Sequence, residues 1–168
     1  ENMIVTAKDS LNNTVTDYTG AVTFSSNDAL AVLPANYTYL DAEDGTHTFA
    51  SGITLKTAGA DKNAVVKAVT DASKAGTQDS IYVNAAATAD YMTLVQGDNQ
   101  SAVSGQNVAV EPQIRLYDEF DNLFTYANRN ITFTPSGDGQ VTGSPDTSDI
   151  NGISAPTSWT LKSTPGAN

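Results

Sequence analysis

The feature that most constrains this chain is a passage that it spells twice. Residues 9–24 run DSLNNTVTDYTGAVTF and residues 118–133 run DEFDNLFTYANRNITF. At a constant offset of 109, Asp9 aligns with Asp118, Asn13 with Asn122, Thr16 with Thr125, Val22 with Ile131, Thr23 with Thr132 and Phe24 with Phe133. Upstream, Val5 and Ala7 meet Ile114 and Leu116; downstream, Ile53-Thr54-Leu55-Lys56-Thr57 meets Trp159-Thr160-Leu161-Lys162-Ser163 and Gly59-Ala60 meets Gly166-Ala167, at offsets of 106 to 107. One supersecondary unit used twice is the simplest explanation. The 168 residues then hold two modules of about 100 residues each with pieces missing.

The matched passages alternate in the manner of strands. Val5/Ala7, Val22/Phe24 and Ile53/Leu55 share one face in the first copy, as do Ile114/Leu116, Ile131/Phe133 and Trp159/Leu161 in the second, with polar residues between them. These twelve are the expected core. Turn-forming stretches such as Ser136-Gly137-Asp138-Gly139 and Asp149-Ile150-Asn151-Gly152 separate the strands, and no capped helical pattern of useful length appears. The first copy continues through two more strands, 63–71 and 79–84, with Ile81/Val83 facing in and either Val66/Ala68 or Val65/Val69 doing so. The expectation is an all-β chain of two tandem sandwiches, 1–86 and 87–168, joined by the short connector Ala85–Asp90. Each sandwich is incomplete at one end, because copy one has no counterpart to residues 91–108 and copy two has none to the strands at 63–71 and 79–84. The missing strands are expected from neighbouring chain, either the same polypeptide or an adjacent subunit.

Ile4-Val5-Thr6-Ala7-Lys8-Asp9 with Asn13, Tyr18-Thr19-Gly20-Ala21-Val22-Thr23-Phe24, and in copy two Gly97-Asp98-Asn99-Gln100-Ser101, Leu116-Tyr117-Asp118 with Asn122, Ile131-Thr132-Phe133 and Trp159-Thr160-Leu161 together resemble the bacterial immunoglobulin-like repeats of surface adhesins, the group that includes the invasin and intimin modules. The resemblance implies immunoglobulin-like sandwiches in a tandem array at the cell surface or outside the cell, and it hands over no catalytic residues. Such repeats usually carry Gly before the Asn of the aspartate turn. Here Asn12 and Asp121 stand there, a change in backbone freedom and not in turn type.

Composition excludes several functions. Only 16% of residues are charged, and acid outnumbers base by 19 to 8, a net charge of -11. With no basic patch, neither nucleic acid nor an anionic membrane surface is an expected partner, and no apolar run is long enough to insert into a membrane. The absence of cysteine removes disulfides and thiolate metal sites. His47 is the sole histidine, which leaves it without the partners that a base or a metal site needs, and it reads as an exposed strand residue at a sandwich rim. Asp41, Glu43 and Asp44 are acidic enough for glycosidase chemistry but sit in a turn without a surrounding cleft, so no catalytic residue is assigned.

The most pointed polar constellation is the aspartate turn. Asp118, Glu119, Asp121 and Asn122, and with fewer carboxylates Asp9 and Asn13, place oxygen donors of the kind calcium takes close together. The same residue types also close turns by bonding their own backbone. Calcium is therefore the one cofactor considered, and none is required. Tyr37 and Tyr39 form either an exposed aromatic strip or a sandwich-edge cover. The expected role is a non-catalytic structural or adhesive module of an extracellular tandem-repeat protein, a stalk, sheath or filament component, whose partners are neighbouring repeats or subunits and a glycan or surface receptor. The alternative is a carbohydrate-binding accessory module of an exported enzyme.

Overall fold

The computed structural model describes residues 2–161, and the chain divides into two compact units, Glu1–Asn84 and Ala85–Asn168. The division falls at the start of the expected connector. Ala85 and Ala86 side with the second unit because Ala85 is buried there, its carbonyl accepts the Tyr126 hydroxyl, and the Ala86 amide donates to Asp118.

The first unit contains β1 (Met3–Thr6), β2 (Ala21–Ser25), β3 (Tyr37–Thr38), β4 (Thr46–Phe49), β5 (Gly59–Ala68) and β6 (Ala75–Val83), with one 3-10 turn at Asp41–Glu43. Its strands form two antiparallel sheets, ordered β1-β4 and β3-β2-β5-β6. Strands that alternate between two layers in this way make an immunoglobulin-like sandwich. β2 sets the register: Val22 and Phe24 are buried while their neighbours are not, and they lie opposite Ala68 and Val66 of β5. Val66 accordingly packs on the core and Val69 is exposed, which decides between the two faces the sequence left open. On β6, Ile81 and Val83 are half-buried around an exposed Tyr82.

The core of this unit is Val22, Phe24, Tyr39 and Phe49, with Met3, Val5, Tyr18, Tyr37, Ile53 and Val66 packed against it. Phe24 meets Phe49 edge to face at 4.8 Å. Tyr39, 2% exposed, donates its hydroxyl to the Val5 carbonyl at 2.9 Å, a bond that ties the 37–40 segment to β1. An exposed aromatic strip is thereby ruled out: Tyr39 is core and Tyr37 half-buried. Val5, Ala7, Ile53 and Leu55 are half-buried and not fully buried as expected. One edge of β1 carries no partner strand among the described residues, which leaves Val5 and Ala7 open to solvent. Ile53 and Leu55 flank a single bridge, Val32 to Thr54, that is too short to shield them.

The second unit contains β7 (Tyr91–Gln96), β8 (Gln113–Tyr117), β9 (Asn130–Ile131), β10 (Gln140–Thr142), β11 (Asp146–Thr147), β12 (Ile153–Ser154) and β13 (Ser158–Thr160). They form an antiparallel sheet ordered β12-β8-β7 and the pairs β11-β9 and β10-β13. Ile114, Leu116, Ile131 and Phe133 are buried as the alternation requires, joined by a fully buried Phe124. Trp159 and Leu161, expected inside, are half-buried. β13 is held by β10 on one side and by a single bridge from Asn107 to Thr160 on the other, and Trp159 rests edge-on against Phe133 at 6.5 Å, half-buried. The matched Lys162, Ser163, Gly166 and Ala167 lie outside the described residues. Among those described, this unit has no counterpart of β5 and β6. Met92 and Leu94 share the inward side with their partners Leu116 and Ile114, yet remain 53% and 49% exposed.

Candidate functional site

The aspartate turn appears twice with the same bonds. In the first unit the Asp9 carboxylate accepts the Leu11 and Asn13 amides at 2.9 and 2.8 Å and the Asn13 side-chain amide at 3.1 Å. In the second, Asp118 accepts the Phe120 and Asn122 amides, both at 2.9 Å, and the Asn122 side-chain amide at 2.9 Å. The fourth residue of each turn is left-handed, Asn12 at φ 68° and Asp121 at φ 63°. Asn and Asp tolerate that region better than other residues with a side chain, so the turn survives without the glycine.

The duplication reaches further than the aligned sequence. The residue two beyond each turn, Val15 or Phe124, donates its amide to the carbonyl of Ala7 or Leu116. Ala7 and Leu116 in turn donate to the carbonyls of Gly45 and Gly152. Both glycines have positive φ, 71° and 68°, and an added Cβ would strike the Val15 carbonyl in one unit and the Phe124 carbonyl in the other. Sequence reading passed over this glycine pair, 107 residues apart, because its flanking residues do not match, Asp44 and Thr46 standing against Asn151 and Ile153. The turn expected at Asp149-Ile150-Asn151-Gly152 proves to be a third of the same construction: the Asp149 carboxylate accepts the Asn151 and Ile153 amides at 2.8 and 2.9 Å, and Gly152 is its left-handed residue.

The two primary turns differ in burial. Asp9 is exposed, and hydrogen bonds from the Asn13 side chain and amide hold its carboxyl below the ordinary range. Asp118 has no exposed surface. Burial pushes its carboxyl up, but the Ala86 amide, both Asn122 groups and the Phe120 amide outweigh that and hold it down. Those four donors fill the roughly four lone-pair sites a carboxylate offers. Asp118 therefore has nothing left to give a cation. Asp121 accepts the Tyr91 hydroxyl at 2.7 Å, Glu119 is exposed, and among the described residues no three carboxylate or imidazole groups converge as a metal centre.

Two aspartates that the sequence did not reveal, Asp28 buried and Asp146 half-buried, do similar work over longer range. Asp28, 4% exposed, accepts the Lys56 and Thr57 amides, the Thr57 hydroxyl and the Leu30 amide, which pins residue 28 to residues 56–57. Burial acts to raise its carboxyl, and these bonds overcome that and leave it strongly depressed. Asp146 accepts the Ser154 hydroxyl and the Ala155 amide.

His47 is not the exposed rim residue expected. Its ring stacks on Tyr37 at 3.8 Å, and its Nδ1 lies 2.5 Å from Glu43, which also accepts the Tyr37 hydroxyl at 2.7 Å and the Leu40 amide at 2.8 Å. The half-buried histidine thus closes the end of the aromatic core. Of the acids considered for catalysis, Glu43 is committed to this cluster, and Asp41 and Asp44 are exposed on the 3-10 turn and its cap.

No protein-family model matches the chain, and no curated protein matches it. A solved structure, the D0-D1 domain of intimin, aligns over 99% of this chain and 78% of its own, with 23% identity and a TM-score of 0.35.

Proposed function

We propose that this chain is a non-catalytic structural or adhesive part of an extracellular tandem-repeat surface protein, in which sandwich modules extend, space and assemble. The observation that carries the reading is the duplicated bonding of the aspartate turn, its neighbouring strand and its glycine, bond for bond in two units. Such repetition is the construction of an array, in which each module is a copy of the last. The polar groups support the same reading: Asp9, Asp28, Asp118, Asp146 and Asp149 all spend their oxygens on the chain's own amides and hydroxyls, and Glu43 spends its on Leu40, Tyr37 and His47. No helix of the described residues is long and apolar enough to cross a membrane. The aspartate turns on this reading are closures and not calcium sites. Antibodies raised against the chain should label intact source cells, and replacing the chain in its parent protein by an unrelated sandwich pair of equal length should preserve surface display. Labelling only after lysis would overturn the reading, as would turnover of any substrate by the purified chain.

A further inference from the structure

We propose that the open side of the first unit is a strand-acceptor groove, and that its occupant is an extended acidic segment of the kind this repeat uses as its opening strand, added to the free edge of β1. The inference concerns how one module is completed and does not depend on where the protein is displayed.

Two sheet edges frame the groove. Among the described residues β1 pairs with β4 on one side only, and β6 ends its own sheet. Between them lies a cavity of about 790 Å³ floored by Val5, Tyr39 and Val66. The second unit identifies the occupant. There the counterpart of β1 is β8, whose matching edge is occupied by β7 in the register Tyr91 to Tyr117, Met92 to Leu116, Thr93 to Arg115 and Leu94 to Ile114. Shifted by the repeat offset, those partners become Lys8, Ala7, Thr6 and Val5, the residues that border the groove. The two strands also correspond along their other edge, where the bridge from Lys8 to Thr14 on the β4 side recurs as the bridge from Tyr117 to Leu123 on the β12 side.

Charge selects the same partner. Lys8, Lys67 and Lys74 line the groove with Asp71 as their sole acidic companion, although the whole chain has only 8 basic residues against 19 acidic ones. The segment 90–98, DYMTLVQGD, has an aspartate at each end, no basic residue, and apolar residues at Met92 and Leu94 that alternate as a half-buried strand requires. Strand addition of this type draws its affinity from main-chain hydrogen bonds and its selectivity from alternate side chains in the groove.

The test uses the full 168-residue chain and a synthetic peptide of residues 90–98. Saturable binding is expected, with slowed amide exchange along β1 and a higher melting temperature that rises with peptide concentration. A scrambled peptide of the same composition should not bind. Lys67→Glu with Lys74→Glu in the protein should weaken binding severalfold, as should Asp90→Lys with Asp98→Lys in the peptide, a change that leaves the protein's own folding untouched. Equal binding of the scrambled peptide, protection that maps to β8 and not β1, or no saturation would overturn the proposal. So would self-association of the chain without peptide that protects β1, because a second copy would then be the occupant.

Discussion

Asp9 and Asp118 hold the same turn through the same donors, and burial separates what each is worth. Replacing Asp118 by alanine strands four hydrogen-bond donors in a site closed to water. Each buried unsatisfied donor costs about 1–3 kcal/mol, and partial relaxation puts the expected loss at about 3–5 kcal/mol, read by denaturant unfolding. Asp9→Ala, whose donors turn to water, should cost clearly less. The carboxyls of Asp28 and Asp118 are both depressed below the ordinary value of 3.8. A depressed folded pKa stabilises above the unfolded value and loses that stabilisation as pH falls through the folded one. Stability should therefore hold through neutral pH and decline below about pH 4, and Asp28→Asn should flatten that decline. At the glycine pair, Gly45→Ala and Gly152→Ala combine left-handed backbone with a Cβ driven into a carbonyl. Each should lose at least about 1–3 kcal/mol, whereas Gly105→Ala, with open space around its Cβ, should bear only the backbone strain.

Among the elements, β2 and its repeat partner carry the packing. Phe24 and Phe133 are 7% and 9% exposed and meet other rings edge to face. Truncating either to alanine should cost about 3–5 kcal/mol. Tyr39→Phe keeps the ring and removes only the bond to the Val5 carbonyl, for an expected loss of about 1 kcal/mol. These positions also mark how far the sequence could be read. Alternation located Val22, Phe24, Ile114, Leu116, Ile131 and Phe133 because a two-residue period is visible within five residues. Phe124 was missed, since it follows a turn and pairs with nothing in its own segment's pattern. Asp28 and Asp146 were missed for another reason: their partners at 56–57 and 154–155 are set by the fold and leave no local spacing. The aspartate turns were found, but their composition suits both a cation and a closed turn, and only the direction of the surrounding N–H groups separates the two. Half-burial of Val5, Ala7 and Trp159 depends on what lies beside a strand, which alternation within that strand does not encode.

At the scale of the whole molecule, each unit has its own core, Val22, Phe24, Tyr39 and Phe49 in one and Ile114, Leu116, Phe124, Ile131 and Phe133 in the other. A small sandwich with an uncovered edge buries a smaller share of its surface than a larger domain, so each unit is expected to be only marginally stable by itself. The net charge of -11 adds self-repulsion that salt screens over roughly 8–10 Å near physiological strength. Raising ionic strength from low to physiological should accordingly raise the melting temperature, while exchanging chelator for millimolar calcium at constant ionic strength should not. The separation of cores makes the sharper prediction. Calorimetry of the chain should resolve two transitions; Phe24→Ala should lower one and Phe133→Ala the other, because cavities in separate cores have no shared neighbours through which to couple. A peptide of residues 90–98 should raise the transition that Phe24→Ala lowers and leave the other in place. If both substitutions shift a single transition equally, the two units unfold as one cooperative body, and the modular construction inferred from the repeat would describe the chain's bonding but not its stability.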